Sequence, residues 1–84
     1  RWGGEEFILY MPQTSSEKAF LQLEELRKKI KDTVVDFDNY KIQVSITIGM
    51  CSGSSLKDYE SVIRKADDRL YFGKRNGKNC VVKS

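Results

Sequence analysis

Two stretches of the sequence carry residue types that can handle phosphate and metal. Near the start, Gly3-Gly4-Glu5-Glu6-Phe7 sets two carboxylates beside two glycines. Glycine tolerates positive φ and lets a backbone come close to a ligand. Paired carboxylates offer the oxygens that a hard cation such as Mg²⁺ takes. A magnesium so held can bind nucleotide phosphates and stabilise the charge that builds as a phosphoryl bond breaks. Acidic residues beside glycines are also common in solvated hairpin turns, and spacing alone favours that plainer reading. Near the other end, Lys74 and Lys78 stand four apart around the expected end of a helix. Two ammonium groups there suit a phosphate. They also complement the negative end of a helix dipole, which accounts for them if the segment is taken by itself.

Composition removes several other chemistries. The 84 residues contain no His, so histidine general bases, Ser-His-Asp triads and histidine-ligated zinc are excluded. Cys51 and Cys80 form no C-x-x-C pair, which leaves out a zinc knuckle and a thioredoxin site. Reduced thiols are expected. The net charge of +3 comes without a dense cationic tract, so DNA binding is not expected. No apolar run approaches the ~20 residues of a membrane span, and the start lacks a signal-peptide pattern. The length lies below the ~100–200 residues of a typical domain, and such a chain buries only about 60–65% of its unfolded surface. Arg1-Trp2-Gly3-Gly4 reads as the interior of a longer sequence.

The elements that must position these residues follow from periodicity. Phe7-Ile8-Leu9-Tyr10-Met11, stopped by Pro12, predicts a buried strand, and Gly3 to Glu6 the tip of a hairpin entered from Trp2. Thr14-Ser15-Ser16-Glu17 has the form of a capping box. A helix is expected from there to Lys31 or Asp32, with Phe20, Leu23, Leu26, Ile30 and Val34 along one face. Glu24 with Lys28, and Glu25 with Lys29, are i,i+4 pairs on the solvated face. Val34 to Phe37, a turn at Asp38-Asn39, and Tyr40 to Ile48 predict a second hairpin, whose Ile42, Val44, Ile46 and Ile48 alternate with polar residues. Gly49 ends that strand. Ser55 to Asp58 resembles a second cap before a helix from about Tyr59 to Arg75, with Val62, Ile63, Ala66, Leu70 and Gly73 or Tyr71 inward. Gly77 suits the position just past the helix, and Cys80-Val81-Val82 is a short last strand. The fold class is α+β, with helices on a mostly antiparallel sheet. Tyr10, Phe20, Phe37 and Tyr40 are expected in core or sheet, and Trp2 in hairpin packing. Asp36 and Asp38 read as hairpin-turn polars, and Asp67 and Asp68 as salt-bridge partners of Arg64 or a lysine.

The two phosphate-suited stretches occur together. Arg1-Trp2-Gly3-Gly4-Glu5-Glu6-Phe7 resembles the signature turn of the GGDEF family, the diguanylate cyclases, in its GGEEF form. Ser45-Ile46-Thr47-Ile48-Gly49 is similar to the family's Ser-Ile-Gly strand, and the segment from Ala66 through Asp67, Leu70, Tyr71 and Lys74 to Gly77-Lys78-Asn79 resembles its C-terminal motif. The resemblance covers all of residues 1–84, as about the C-terminal half of a domain that starts at the signature turn. It implies a palm-like, adenylyl cyclase-like α+β fold. It also implies two domains meeting face to face, each with one GTP, condensing them into cyclic di-GMP and two pyrophosphates. Carried over, Glu5 and Glu6 hold Mg²⁺ (or Mn²⁺), Glu5 assists deprotonation of the 3′-hydroxyl, Gly3 and Gly4 let GTP lie against the turn, and Lys74 and Lys78 contact phosphate. A cytoplasmic location follows from the GTP substrate, with anchoring through other domains still open. The alternative is a non-catalytic GGDEF module that binds GTP, cyclic di-GMP or a protein partner.

Three positions depart from the family pattern. Lys78 stands where family members have Arg, which gives up a bidentate fork for a point charge. Arg69 and Gly73 replace alanines. Arg69 is expected to face solvent, and Gly73 to weaken the helix end by up to ~1 kcal/mol. The family's first-strand Asp and its guanine-reading residues lie outside these residues. The 84 residues alone are therefore expected not to turn over GTP, and to associate through an uncovered apolar face.

Overall fold

The computed structural model describes residues 6–53 and 59–83. Helix α1 spans Ser16–Asp32. Its cap is Ser15, one residue later than the capping box suggested: the Ser15 hydroxyl accepts the Lys18 N–H at 3.1 Å. Thr14 instead donates its hydroxyl to the Pro12 carbonyl at 3.0 Å. The carbonyls at the far end of α1 are also satisfied. Thr33 donates its hydroxyl to Lys29 O and its N–H to Ile30 O, and the Gln43 amide donates to Lys31 O. A helix whose terminal carbonyls find partners can stop without a glycine.

β1 (Val35–Phe37) and β2 (Tyr40–Ile42) form the expected antiparallel hairpin, with Phe37 opposite Tyr40. Asp38 and Asn39 take φ of +47° and +71°, the doubly left-handed turn whose twist matches that of paired strands. The long alternating strand ends early, at Ile42. Pairing resumes only at β3 (Ile48–Gly49), against β4 (Val81–Val82), and there it is parallel. The reason is connectivity: α2 (Tyr59–Arg75) lies between the two strands in sequence, and a strand–helix–strand crossover delivers parallel neighbours. The described strands thus form one antiparallel and one parallel pair within an α+β fold.

The parallel pair separates the two helices. Ile48, Met50 and Val81 turn to one side, where Met50 is buried with Ala19 and Leu23 of α1, and Met11 and Phe20 pack at the edge. Thr47, Gly49, Cys80 and Val82 belong to the opposite set of the strand alternation, toward α2. A Cβ at Gly49 would collide with backbone atoms of Ala66 and Leu70. A Cβ at Gly73 would lie 2.8 Å from Thr47 Cγ2, 3.1 Å from Val82 Cγ2 and 3.2 Å from Cys80 Sγ. The two glycines let α2 lie directly on the strands. Gly73 is thereby explained: its place in the helix is set by the Thr47 methyl it faces.

Other expectations are corrected. Residues 7–11 form no strand, and Phe7 to Tyr10 are exposed, because no described strand lies beside them to take their hydrogen bonds. Tyr10 is exposed and in no strand, whereas Phe37 and Tyr40 are in the sheet as expected, with exposed side chains, and Phe20 packs at the core with the Lys83 ammonium 4.6 Å from its ring centre. Leu26 and Val34 are exposed as well. Glu24 pairs with Arg27 rather than Lys28. Asp67 and Asp68 make no ion pair among the described residues. Arg69 does not face solvent alone; it donates to Met50 O at 2.7 Å, tying α2 to the end of β3. The cap at Ser55 to Asp58, and the hairpin tip except for Glu6, lie outside the described residues. Cys51 and Cys80 are free thiols. The register puts Cys80 level with Thr47, four residues before Cys51, so about 13 Å of strand rise separates them, too far for a disulfide.

Candidate functional site

Helix α2 has an inner stripe of Val62, Ile63, Ala66, Leu70 and Gly73 and therefore holds its next residue, Lys74, outward near its C-terminal end. The Lys74 ammonium meets the Glu6 carboxylate, Nζ to Oε2 at 3.4 Å. Sixty-eight positions separate the two residues. The fold has brought together the two stretches that the sequence marked as suited to phosphate and metal. The Glu6 side chain is 35% exposed and that of Lys74 43%, so water screens the pair and it contributes at most ~1 kcal/mol. Such a contact opens readily when a stronger partner for either charge arrives.

Lys78 lies beyond the helix. The last helical residue is Arg75, and the chain turns through Asn76 and Gly77. The Lys78 N–H donates back to Gly73 O at 2.9 Å, and Gly77 has φ +106°, the six-residue closure of a Schellman motif around the expected glycine. Asn76 seals the same end, its side-chain amide donating to Phe72 O at 2.8 Å. The helical i,i+4 spacing of Lys74 and Lys78 therefore does not apply, and Lys78 is carried on a turn with its own φ at +57°.

That turn is anchored by contacts the sequence did not mark. The Asn79 N–H donates to Thr47 Oγ1 at 3.0 Å, and the Asn79 side-chain oxygen accepts from Arg27 Nη1 at 3.0 Å. Arg27 is itself held by Glu24, through Nε at 2.9 Å and Nη2 at 3.1 Å. The guanidinium hydrogen bond keeps the Glu24 carboxyl below the usual carboxylate range, against the opposing effect of burial, and Glu24 in turn raises Arg27. A signal for Arg27 was present: it stands four residues after buried Leu23 and three before Ile30, a charged residue on the apolar stripe.

Gly3, Gly4 and Glu5 lie outside the described residues, so Glu6, Lys74 and Lys78 are the expected site residues whose surroundings are defined. Among the described residues no group of three or more Cys, Asp or Glu gathers as a metal site. Glu6 contributes one carboxylate, the donor type a hard cation takes. No helix among the described residues is long and apolar enough to cross a membrane.

A family model described as diguanylate cyclase, GGDEF domain, matches residues 1–80. Diguanylate cyclase A of Treponema denticola is 39% identical over 85 residues, covering 100% of this chain and 23% of that protein. Diguanylate cyclase DosC of Escherichia coli is 34% identical over 82 residues, 96% of this chain and 18% of DosC. The response regulator PleD of Caulobacter vibrioides is 32% identical over 85 residues, 98% of this chain and 19% of PleD. The chain spans about a fifth of the length of these relatives.

Proposed function

The chain belongs to the GGDEF domain family, and from that premise we propose that the whole protein condenses two GTP into cyclic di-GMP. In each half-reaction the 3′-hydroxyl oxygen of one GTP bonds to the α-phosphorus of the other. The bond from that phosphorus to the bridging oxygen breaks, and pyrophosphate leaves. The hydroxyl proton passes to a base, a role we assign to Glu5. Two such events close the ring, and they require two domains face to face. The reading places the work in the cytoplasm, where GTP is found.

The observation that carries this reading is the Glu6–Lys74 contact. It joins a carboxylate of the signature turn to an ammonium at the end of α2, so one locus offers an oxygen donor for a cation and a cation for phosphate. Glu5 and Glu6 are the residues that would hold Mg²⁺ or Mn²⁺. Such an ion, when bound, neutralises phosphate charge and stabilises the leaving pyrophosphate. Lys74 exchanges its weak, screened bond to Glu6 for a phosphate oxygen, a charge-assisted bond of greater strength. Lys78 adds a second point charge from the adjacent turn. Gly3 and Gly4 let the nucleotide lie against backbone. The chemistry asks for positioning and charge stabilisation, and carboxylates and lysines supply both without histidine.

The test is product formation by the whole protein supplied with GTP and Mg²⁺, read by chromatography and mass. Cyclic di-GMP is expected. Glu5→Gln is expected to lower kcat by about 100-fold or more while the thermal midpoint is retained. GTP binding without product from the wild-type protein would instead establish the non-catalytic module.

A further inference from the structure

We propose that Arg27 and Thr47 are positioning residues: together they latch the turn Asn76–Asn79 so that Lys78 is presented to phosphate. The phosphate part of this statement rests on the function proposed above. The latch rests on the turn itself.

Three consecutive residues of the turn are left-handed: Gly77 at φ +106°, Lys78 at +57° and Asn79 at +49°. Glycine adopts this region freely and asparagine tolerates it, but lysine has no local reason to do so. A turn of this shape persists where its surroundings over-determine it. Here they do. Thr47, just ahead of β3, accepts the backbone N–H of Asn79, and Gly73 accepts that of Lys78. Arg27, from α1 and 52 positions away, donates to the Asn79 side chain. Residues from three separate parts of the fold thus converge on Lys78 and Asn79.

The guanidinium suits this task. It spends Nε and Nη2 on Glu24 and turns Nη1 to Asn79, a three-bond fork that a lysine cannot reproduce. The side chains of Arg27 and Glu24 are 15% and 25% exposed, so the pair is less screened than Glu6–Lys74. Lys78, by contrast, is exposed, and its ammonium has no partner among the described residues. The backbone is fastened and the charge is left available, the arrangement expected of a ligand contact rather than of a structural salt bridge.

The experiment uses the whole protein and the variants R27K, T47V and T47S, each alone and with K78A. R27K keeps the charge and loses the fork. T47V keeps the shape and loses the acceptor, and T47S keeps the acceptor. Amide hydrogen exchange is read at Lys78 and Asn79, and kcat and KM for GTP are measured. R27K and T47V are expected to speed exchange at Asn79 and raise KM by about three- to tenfold, the scale of one net hydrogen bond. kcat and the protection of Leu23 should be retained, and T47S should resemble wild type. In the K78A background, R27K should add little further change in KM. Unchanged exchange at Asn79 in both R27K and T47V overturns the latch. Effects of R27K and K78A that multiply overturn the presentation of Lys78. If R27K fails to fold, the T47V and T47S pair decides by the same readings. A wild-type protein that neither binds GTP nor makes cyclic di-GMP overturns the functional reading and the phosphate role with it, while the exchange rates still decide the latch.

Discussion

Glu24 and Lys74 show how burial sets what a charge pair is worth. The Glu6–Lys74 contact is long and solvated, so it is weak and readily exchanged. The Glu24–Arg27 contact is shorter and more withdrawn from water, and it shifts the acid's proton equilibrium. Because the folded carboxyl lies below its unfolded value near ~4.3, the stability it lends is fully present above that pH and is lost as pH falls through the lowered folded value. A carboxyl NMR titration should place the Glu24 midpoint below the ordinary range, and Arg27→Lys should move it back toward that range. An unmoved midpoint in the variant would mean that Arg27 is not the cause. The sequence paired Glu24 with Lys28 by helical spacing. It gave no means of seeing that Arg27 would bond Asn79, 52 positions away, as well as Glu24.

The packing of α2 on β3 and β4 is a matter of two glycines and one methyl group. Gly73 replaces a better helix former, yet a Cβ there would press on Thr47, Val82 and Cys80. Overpacking of this kind costs about 1–3 kcal/mol, more than the ~1 kcal/mol that alanine returns in helix propensity. Gly73→Ala should therefore lower the stability of the protein by up to about 2 kcal/mol, the difference of these two estimates. Adding Thr47→Ser removes the nearest methyl and keeps the hydroxyl that Asn79 needs, so the double variant should recover most of the loss. Denaturant midpoints of the two singles and the double would show it, and strictly additive losses would refute it. At this scale the helices and the hairpin were legible, since periodicity, caps and the Asp38-Asn39 turn are local signals. The parallel pairing of β3 with β4 was not, because it depends on where a 17-residue helix returns the chain.

For the molecule as a whole, surface area tells most. The accessible surface is 7101 Å², against about 5,100 Å² for a folded monomer of this mass. The radius of gyration is 14.2 Å, against about 12 Å for a compact chain of this length. Part of that surface is apolar: Phe7 to Tyr10, and the hairpin residues Val35, Phe37, Tyr40 and Ile42, are all exposed. Large apolar side chains left exposed in this number are the kind of surface that associates in water. The 84 residues by themselves should therefore associate at high concentration, as measured by light scattering. A monomer that unfolds cooperatively under those conditions would contradict this.

The sequence by itself determined the fold class, both helices to within a residue, the β1–β2 hairpin and the presence in one chain of an acidic turn and a lysine-bearing tail. Each of these is written in residues close together in the chain, or in motifs that survive without knowledge of distance. Only the tertiary structure decided that Glu6 meets Lys74, that Arg69 serves Met50, that Gly73 answers to Thr47, and that Arg27 and Thr47 grip Asn79. These contacts join residues between 19 and 68 positions apart. They arise from how the packed elements set distant residues side by side, and that does not follow from spacing along the chain.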